Sequence, residues 1–299
     1  MLAVLSLLFA CSSSPSSLDR PNRMVVAPDG LLYVSDLHHD RIVVFDDQGN
    51  YKREFGQQGL SRGDLWHVWD LAIEPDGAVL VLNERPATDR NVDSSAIEVK
   101  RFRNDREVAA AFLLGPGGEP IKVAEGIAIH PDGGFLVVDS GSGNVYRYDE
   151  NWVFAGTFGY QGREGEQATV VVSHADQVWV LEQYTHRFRL LDKEGTEQLT
   201  FRRPGSMPGQ VSFPVGMSFC PDNWMAVADL GNHRVVLFDL DGNHVRTWTP
   251  PPKGRHMPLQ VMDVAVSGDC QRVWVADGKG DRVLALGTDG EVELTIDRW

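Results

Sequence analysis

Six oxygen-tipped side chains recur along this chain, each closing an apolar run: Asp36, Asn83, Asp139, Glu182, Asp229 and Asp277. Carboxylates repeated in this way have two possible uses. Gathered around a channel, they would offer hard oxygen ligands to Ca²⁺. Kept apart, each would hold its own stretch of chain together. Arg41, Arg187, Arg234 and Arg282 follow their acids by five residues, a spacing that suits a local ion pair. The expectation is therefore structural, with a ring of Ca²⁺-binding carboxylates as the other reading.

Departures from the repeat carry more functional information. Six of the nine histidines, namely His38, His39, His67, His186, His233 and His256, fall by register on one rim. His186 and His233 share one repeat position and read as structural. His38 and His39 replace a small Gly-Asn pair. Imidazoles that converge bind zinc or copper, whereas imidazoles scattered over a rim are solvated, and solvation is the expectation here. Trp66-His67-Val68-Trp69-Asp70 opens the second repeat, and an insertion from Glu84 to Ser95, carrying Arg85 and Arg90, overhangs the same rim. Aromatic side chains beside Arg anchor interfaces and stack on sugars or peptides. Tyr184 and His186 lie across from them. The expected ligand-binding set is Trp66, His67, Trp69, Asp70, Arg85, Glu125, Tyr184 and His186, with Trp66 and Trp69 also readable as a wedge of the first repeat against the second.

The elements that must position these residues follow from the period. Successive gaps between the six acid or amide positions are 47, 56, 43, 47 and 48 residues. A period in the forties built of short strands is the mark of propeller blades, none of which buries its faces alone. The expected fold is all-β: a six-bladed β-propeller with four antiparallel strands per blade, innermost first. In blade one the strands are placed near residues 22–27, 31–36, 41–46 and 50–55. Pro28-Asp29-Gly30, Pro75-Asp76-Gly77 and Pro131-Asp132-Gly133 supply tight turns, because Pro presets one dihedral and Gly frees another. Near-continuous apolar runs such as Ile42-Val43-Val44-Phe45 suit strands covered on both faces. Blade four is the most degenerate, with Ser173-His174-Ala175-Asp176 at its turn. The chain starts on an inner strand and ends on an outer one, so closure is expected to rest on side-chain packing between blades one and six, the weakest joint.

These residues resemble the NHL repeat family over residues 21–299. The resemblance rests on the Pro-Asp-Gly turn, on Asp229-Leu-Gly-Asn-His-Arg234 and on Asp277-Gly-Lys-Gly-Asp-Arg282. It implies a six-bladed propeller and leaves function open, because such relatives include binding modules, sensors and a few enzymes. Related amidating lyases set three histidines at the inner-strand starts to hold zinc. The matching register here reads Asn22, Trp69, Glu125, Ala168, Val215 and Met262, which lacks that ligand set. Sugar-lactonase propellers hold a divalent ion with Glu, Asn and Asp. Glu125, Asn22 and Asp263 imitate that chemistry, in surroundings that do not match. With His38 and His39 they complete the metal candidates, for Ca²⁺ or Zn²⁺.

Bulk composition narrows the partners. The 299 residues carry 42 acidic against 28 basic side chains, a net charge of −14, which argues against a nucleic-acid polyanion. Met1 to Ala10 is apolar, and Leu8-Phe9-Ala10-Cys11 leads into a Ser-rich stretch. This resembles a bacterial lipoprotein signal with Cys11 as the lipidated residue, an ordinary cleaved signal peptide being the other reading. Residues 1–20 are thus read as leader and tether. Cys220 and Cys270 fall near the first turns of blades five and six, as a disulfide or as two buried thiols. No nucleophile elbow, phosphate loop or CxxC motif is present. The expected function is non-catalytic. The chain would be a monomeric propeller of the bacterial cell envelope, touching the membrane only through its lipid and binding protein, peptide or glycan at its upper rim. The alternative is a metal-dependent hydrolase or lyase with its site in the central channel.

Overall fold

The computed structural model describes residues 17–86, 96–159, 167–221, 223–254 and 257–299. Among these residues, twenty-four strands form six sheets of four, each ordered along the chain. The first strands of blades one to six are Pro21–Val26, Val68–Ile73, Gly126–Ile129, Val170–His174, Pro214–Cys220 and Val261–Val266. Each lies against the first strands of both neighbouring blades, and the sixth returns to the first, so they ring a central channel. The expected six-bladed propeller is the observed one.

Second and third strands are buried almost throughout, as Leu32–Asp36 and Arg41–Phe45 illustrate. Their unbroken Val, Ile and Leu content follows from having a sheet on either side. Six hydrophobic clusters result, each spanning one joint between adjacent blades. The tight turns behave as their residues dictate. Gly30 and Gly77 take φ of 85° and 81°, which a side chain disfavours. Their N–H groups donate back to Ala27 and Glu74 at 2.9 Å.

Three details differ from expectation, and one open alternative is decided. The second strand of blade two runs from Val79 to Arg85, and Arg85 pairs with Ala96. Glu84 and Arg85 are therefore ladder residues, and residues 87–95 of the insertion, Arg90 among them, lie outside the described residues, as do Cys11 and His256. In blade four, Ala175 and Asp176 form the two-residue link between strands, with Ala175 at φ 51°. Thr169 donates its N–H to Leu181 just as Glu125 donates to Val138, so Thr169, not Ala168, holds the inner-strand register. The joint between blades one and six is not held by packing alone. Ser17 forms an antiparallel bridge with Arg298, and Arg20 donates its N–H to Asp281 at 3.0 Å. Trp299 stacks on Tyr51 at 5.5 Å and meets Phe45 edge-on. Finally, Cys220 and Cys270 are joined as a disulfide, with Cα atoms 5.2 Å apart, stapling blade five to blade six at the lower face.

Candidate functional site

The repeated acids are clasps. Asp229 accepts from the Ser212 N–H at 2.6 Å and from Asn232 Nδ2 and Arg234 Nε at 2.8 Å. Asp277 repeats this with Gln260 N, Gly280 N and Arg282 Nε. Asp36 does so with Asp19 N and Arg41 Nε. Asn83 accepts from the Trp66 N–H at 2.7 Å. In these four blades the captured N–H lies 17 residues upstream, in the segment arriving from the preceding blade or from the N-terminus. The clasp therefore fixes how each blade is entered. Glu182 is held more closely by Arg189, at 2.7 Å, than by the expected Arg187, at 3.8 Å. Asp139 takes Gly141 N and Ser142 Oγ instead of an arginine.

Blade two keeps the clasp by moving its charge. Where blades one, four, five and six pair an acid with Arg across the ladder, Asn83 faces Glu98. Asn83 Nδ2 donates to Glu98 at 2.8 Å. The buried Lys100 stands 3.5 Å from Glu98 and donates to the Asp64 carbonyl and to Glu107. A cation two residues along the strand replaces the missing arginine.

The structure does not gather the expected rim residues into one site. The His67 ring lies against Trp69 at 4.4 Å, tilted by 47°, and Trp69 Nε1 donates to Glu84 at 3.1 Å. Trp69 packs against the cluster between blades two and three, so any wedging is on that side and not toward blade one. Trp66 is half-buried. Arg85 turns to its own blade, over the Phe112 ring and 3.8 Å from Glu98. Tyr184, 59% exposed, and His186 both meet Phe213 instead. Burial keeps the His186 imidazole below the usual histidine range. His38 and His39 are each held by a separate carboxylate, Asp19 and Asp36, at 2.8 Å. His233 bonds the Leu259 carbonyl. Among the described residues no three His, Cys, Asp or Glu side chains are grouped to hold a metal ion.

Asp70, Glu125 and Asp263 converge elsewhere, on a cavity of about 450 Å³ enclosed by the inner strands. Its wall is mainly Val, Ile, Ala and Met. Its lower mouth lies among the first turns, at Pro28, Pro221 and Gly268. Its floor is Arg23, which the sequence reading passed over. A bulge in the first strands of blades one, two, five and six brings Arg23, Asp70, Gly216 and Asp263 to equivalent ladder positions. Arg23 Nε donates to the Trp69 carbonyl at 3.2 Å, and Nη1 to the Val215 and Met262 carbonyls at 3.0 Å each. One guanidinium thus reaches from blade one to blades two, five and six. Gly216 leaves room for the Asp263 carboxylate, which a Cβ there would strike. The acids lace neighbouring inner strands together: Asp70 accepts from the Ile127 N–H and Asp263 from the Met24 N–H. Burial pushes Asp70 up to about 6, against the pull of Arg23. It pushes Asp263 up to about 7, and the neighbouring Asp70 adds to the rise. Glu125 is raised by burial too, and shares Arg23 with them while Ser140 stands at its side. Asn22 is buried above this level and does not line the cavity. Arg23 was discoverable as the basic residue at an inner-strand position where blades two and six carry Asp70 and Asp263 and blade five carries Gly216.

No family model and no curated protein matches the chain. Among solved structures it is similar to selenomethionine-substituted virginiamycin B lyase from Staphylococcus aureus, with 14% identity, a TM-score of 0.62 and coverage of 94% of this chain and 84% of that one. A streptogramin B lyase aligns with 12% identity and a TM-score of 0.63, over 96% of this chain and 85% of the other. Kuenenia stuttgartiensis hydrazine synthase aligns with 18% identity and a TM-score of 0.60, over 90% and 83%. At such identities the likeness is one of fold.

Proposed function

We propose that this chain is a non-catalytic binding propeller of NHL type that takes a small ligand into its central cavity through the lower mouth. The observation that carries the reading is the cavity itself. Its volume of about 450 Å³ falls within the range of small-molecule sites, and an apolar wall with a few convergent polar groups is their usual lining. The repeated acids are engaged in clasps, so the charges left for a ligand are those at the cavity floor. Exposed Tyr184, Phe213 and Met207 on blades four and five leave the upper rim as a second surface for protein, peptide or glycan. Lipidation at Cys11 would hold the propeller in the bacterial cell envelope, an oxidising setting that suits the Cys220–Cys270 disulfide.

The test is titration with Nile red, a neutral apolar dye. Binding should saturate at one dye per chain and be lost in Ser173→Trp, which fills the cavity wall near the mouth. Dye binding that never saturates, or that survives this substitution in a folded protein, removes the cavity as the site.

A metal-dependent hydrolase or lyase in the same channel is the second reading. It is favoured by two carboxylates that titrate close to neutrality within a cleft, the usual condition of a general acid or base. Elemental analysis of untagged protein separates the two. One equivalent of metal, whose removal leaves the fold intact, favours the enzyme. No metal, together with a melting temperature indifferent to added Ca²⁺ or Zn²⁺, favours the binding module.

A further inference from the structure

The cavity floor carries an uneven set of charges. Arg23 brings one positive charge, and Asp70, Asp263 and Glu125 bring three carboxylates. The bonds of Arg23 go to three main-chain carbonyls. Among the described residues it forms no ion pair of the kind that joins Asp229 to Arg234 at 2.8 Å. The two aspartates take main-chain N–H groups from Leu71, Ile127 and Met24 instead. The guanidinium therefore lies among the acids and offsets their charge only in part. Burying carboxylates that lack a full counter-charge is costly, and the cost falls when a cation arrives. The described residues offer no three-ligand group for a metal ion. A hard dication needs several oxygens in its first shell, whereas an organic ammonium ion is satisfied by carboxylates at longer range and by apolar surface along its body. An organic anion would face the carboxylates instead.

We propose that the cavity accepts a small organic ammonium ion, its apolar body against the inner-strand wall and its cationic head at Asp70 and Asp263. The inference rests on the cavity being the binding site and adds the class of ligand. Because burial holds both aspartates above the ordinary carboxylate range, binding of the ammonium ion releases protons in mildly acidic buffer. The titratable and charged groups around the bound head are Arg23, Asp70, Glu125 and Asp263, with His174 at the mouth.

Isothermal titration of the whole chain with hexylammonium, 1-hexanol and hexanoate tests this. Hexylammonium should bind at least about tenfold more tightly than hexanol, a difference near 1.4 kcal/mol, and hexanoate more weakly than either. Asp263→Asn should weaken hexylammonium about fivefold and leave hexanol unchanged. If that variant does not fold, the wild type serves: hexylammonium affinity should fall between about pH 8 and about pH 5 as the aspartates take up protons, while hexanol affinity stays level. Hexanol or hexanoate binding as tightly as the amine overturns the charge assignment and leaves the cavity standing. Failure of all three probes, together with failure of Nile red to saturate, removes both the site and its ligand class.

Discussion

Two sets of buried charge in this molecule are built from the same residue types and behave in opposite ways. In the clasp of blade five, Asp229 has a donor from the arriving segment, one from Asn232 and one from Arg234, all within 2.8 Å. At the channel floor, Arg23 is bonded to carbonyls, and Asp70 and Asp263 are bonded to main-chain N–H groups. Acid and base share a space there without forming a pair. The first arrangement recurs with changes from blade to blade, and among the described residues the second occurs once. A charge set repeated with the blades solves a problem every blade has, namely how the incoming chain is anchored. A set that breaks the repeat, and leaves its acids without an ion pair, is the one that the proposed ligand would use.

Breaking a clasp should produce the largest effect. Asp229→Ala strands the Arg234 guanidinium and the Ser212 N–H, a loss of about 4 kcal/mol for removing one partner of a buried pair. In a protein of this size the melting temperature should fall by about 10 °C, while Nile red affinity in the folded protein stays as it was. An unchanged melting temperature contradicts the anchoring role. Blade two sharpens the point, because its clasp works with inverted chemistry. Lys100→Met removes the nearest cation from Glu98, which among the described residues keeps only Arg85 at 3.8 Å, and breaks the ion pair of Glu107, and should cost about 3 kcal/mol in urea unfolding. If Lys100→Met is as stable as the wild type, then Lys100 is not the surrogate for the missing arginine.

The legible and illegible parts of the fold divide along the same line. The six blades, the turn glycines and the acid–arginine spacing are local and periodic, so the sequence displays them plainly. The one-residue error at Thr169 arose where blade four has lost both the Pro-Asp-Gly turn and the Asp that set the register elsewhere. Arg23 was passed over because a single charge facing a channel has no period to reveal it. Asp70 and Asp263 had been singled out, but only the bulges show that they stand level with it. Register placed Cys220 and Cys270 near adjacent turns, yet their bond depends on how two blades approach. The scatter of Trp66, Arg85 and Tyr184 among separate neighbourhoods is likewise a tertiary outcome, as strand Val79–Arg85 shows by running further than its turn residues suggested.

The channel floor should betray itself through pH. Asp263 titrates near 7 in the folded chain against 3.8 as its ordinary value, so between these the folded state holds a proton that the unfolded state has released. The stability linked to this proton is fully present below about pH 4 and is lost as pH rises through about 7. Asp70 acts in the same direction up to about 6. His130 and His186, lowered by burial, act in the opposite sense as pH rises through the ordinary histidine range. Subtracting the Asp263→Asn curve from the wild-type curve isolates the aspartate. The difference should slope by about 1 kcal/mol per pH unit between about pH 5 and about pH 7. Parallel curves mean that Asp263 is ionised throughout and that the floor is better compensated than its bonding indicates.

The smallest effect should come from the segment between the second and third strands of blade two. The ladder there is complete out to Arg85 opposite Ala96, so the strands need only a link that spans their ends. Replacing residues 87–95 by a short Gly-Ser turn changes loop closure by about 0.6 kcal/mol or less. It leaves the clasp at Asn83 and Glu98 and the floor at Arg23 untouched. Melting temperature, the pH slope and Nile red affinity should all stay level. A large loss of cooperativity would mean that the ring depends on a part of the chain belonging neither to the repeat nor to the channel, and that the two kinds of buried charge are not the whole account of what holds this propeller.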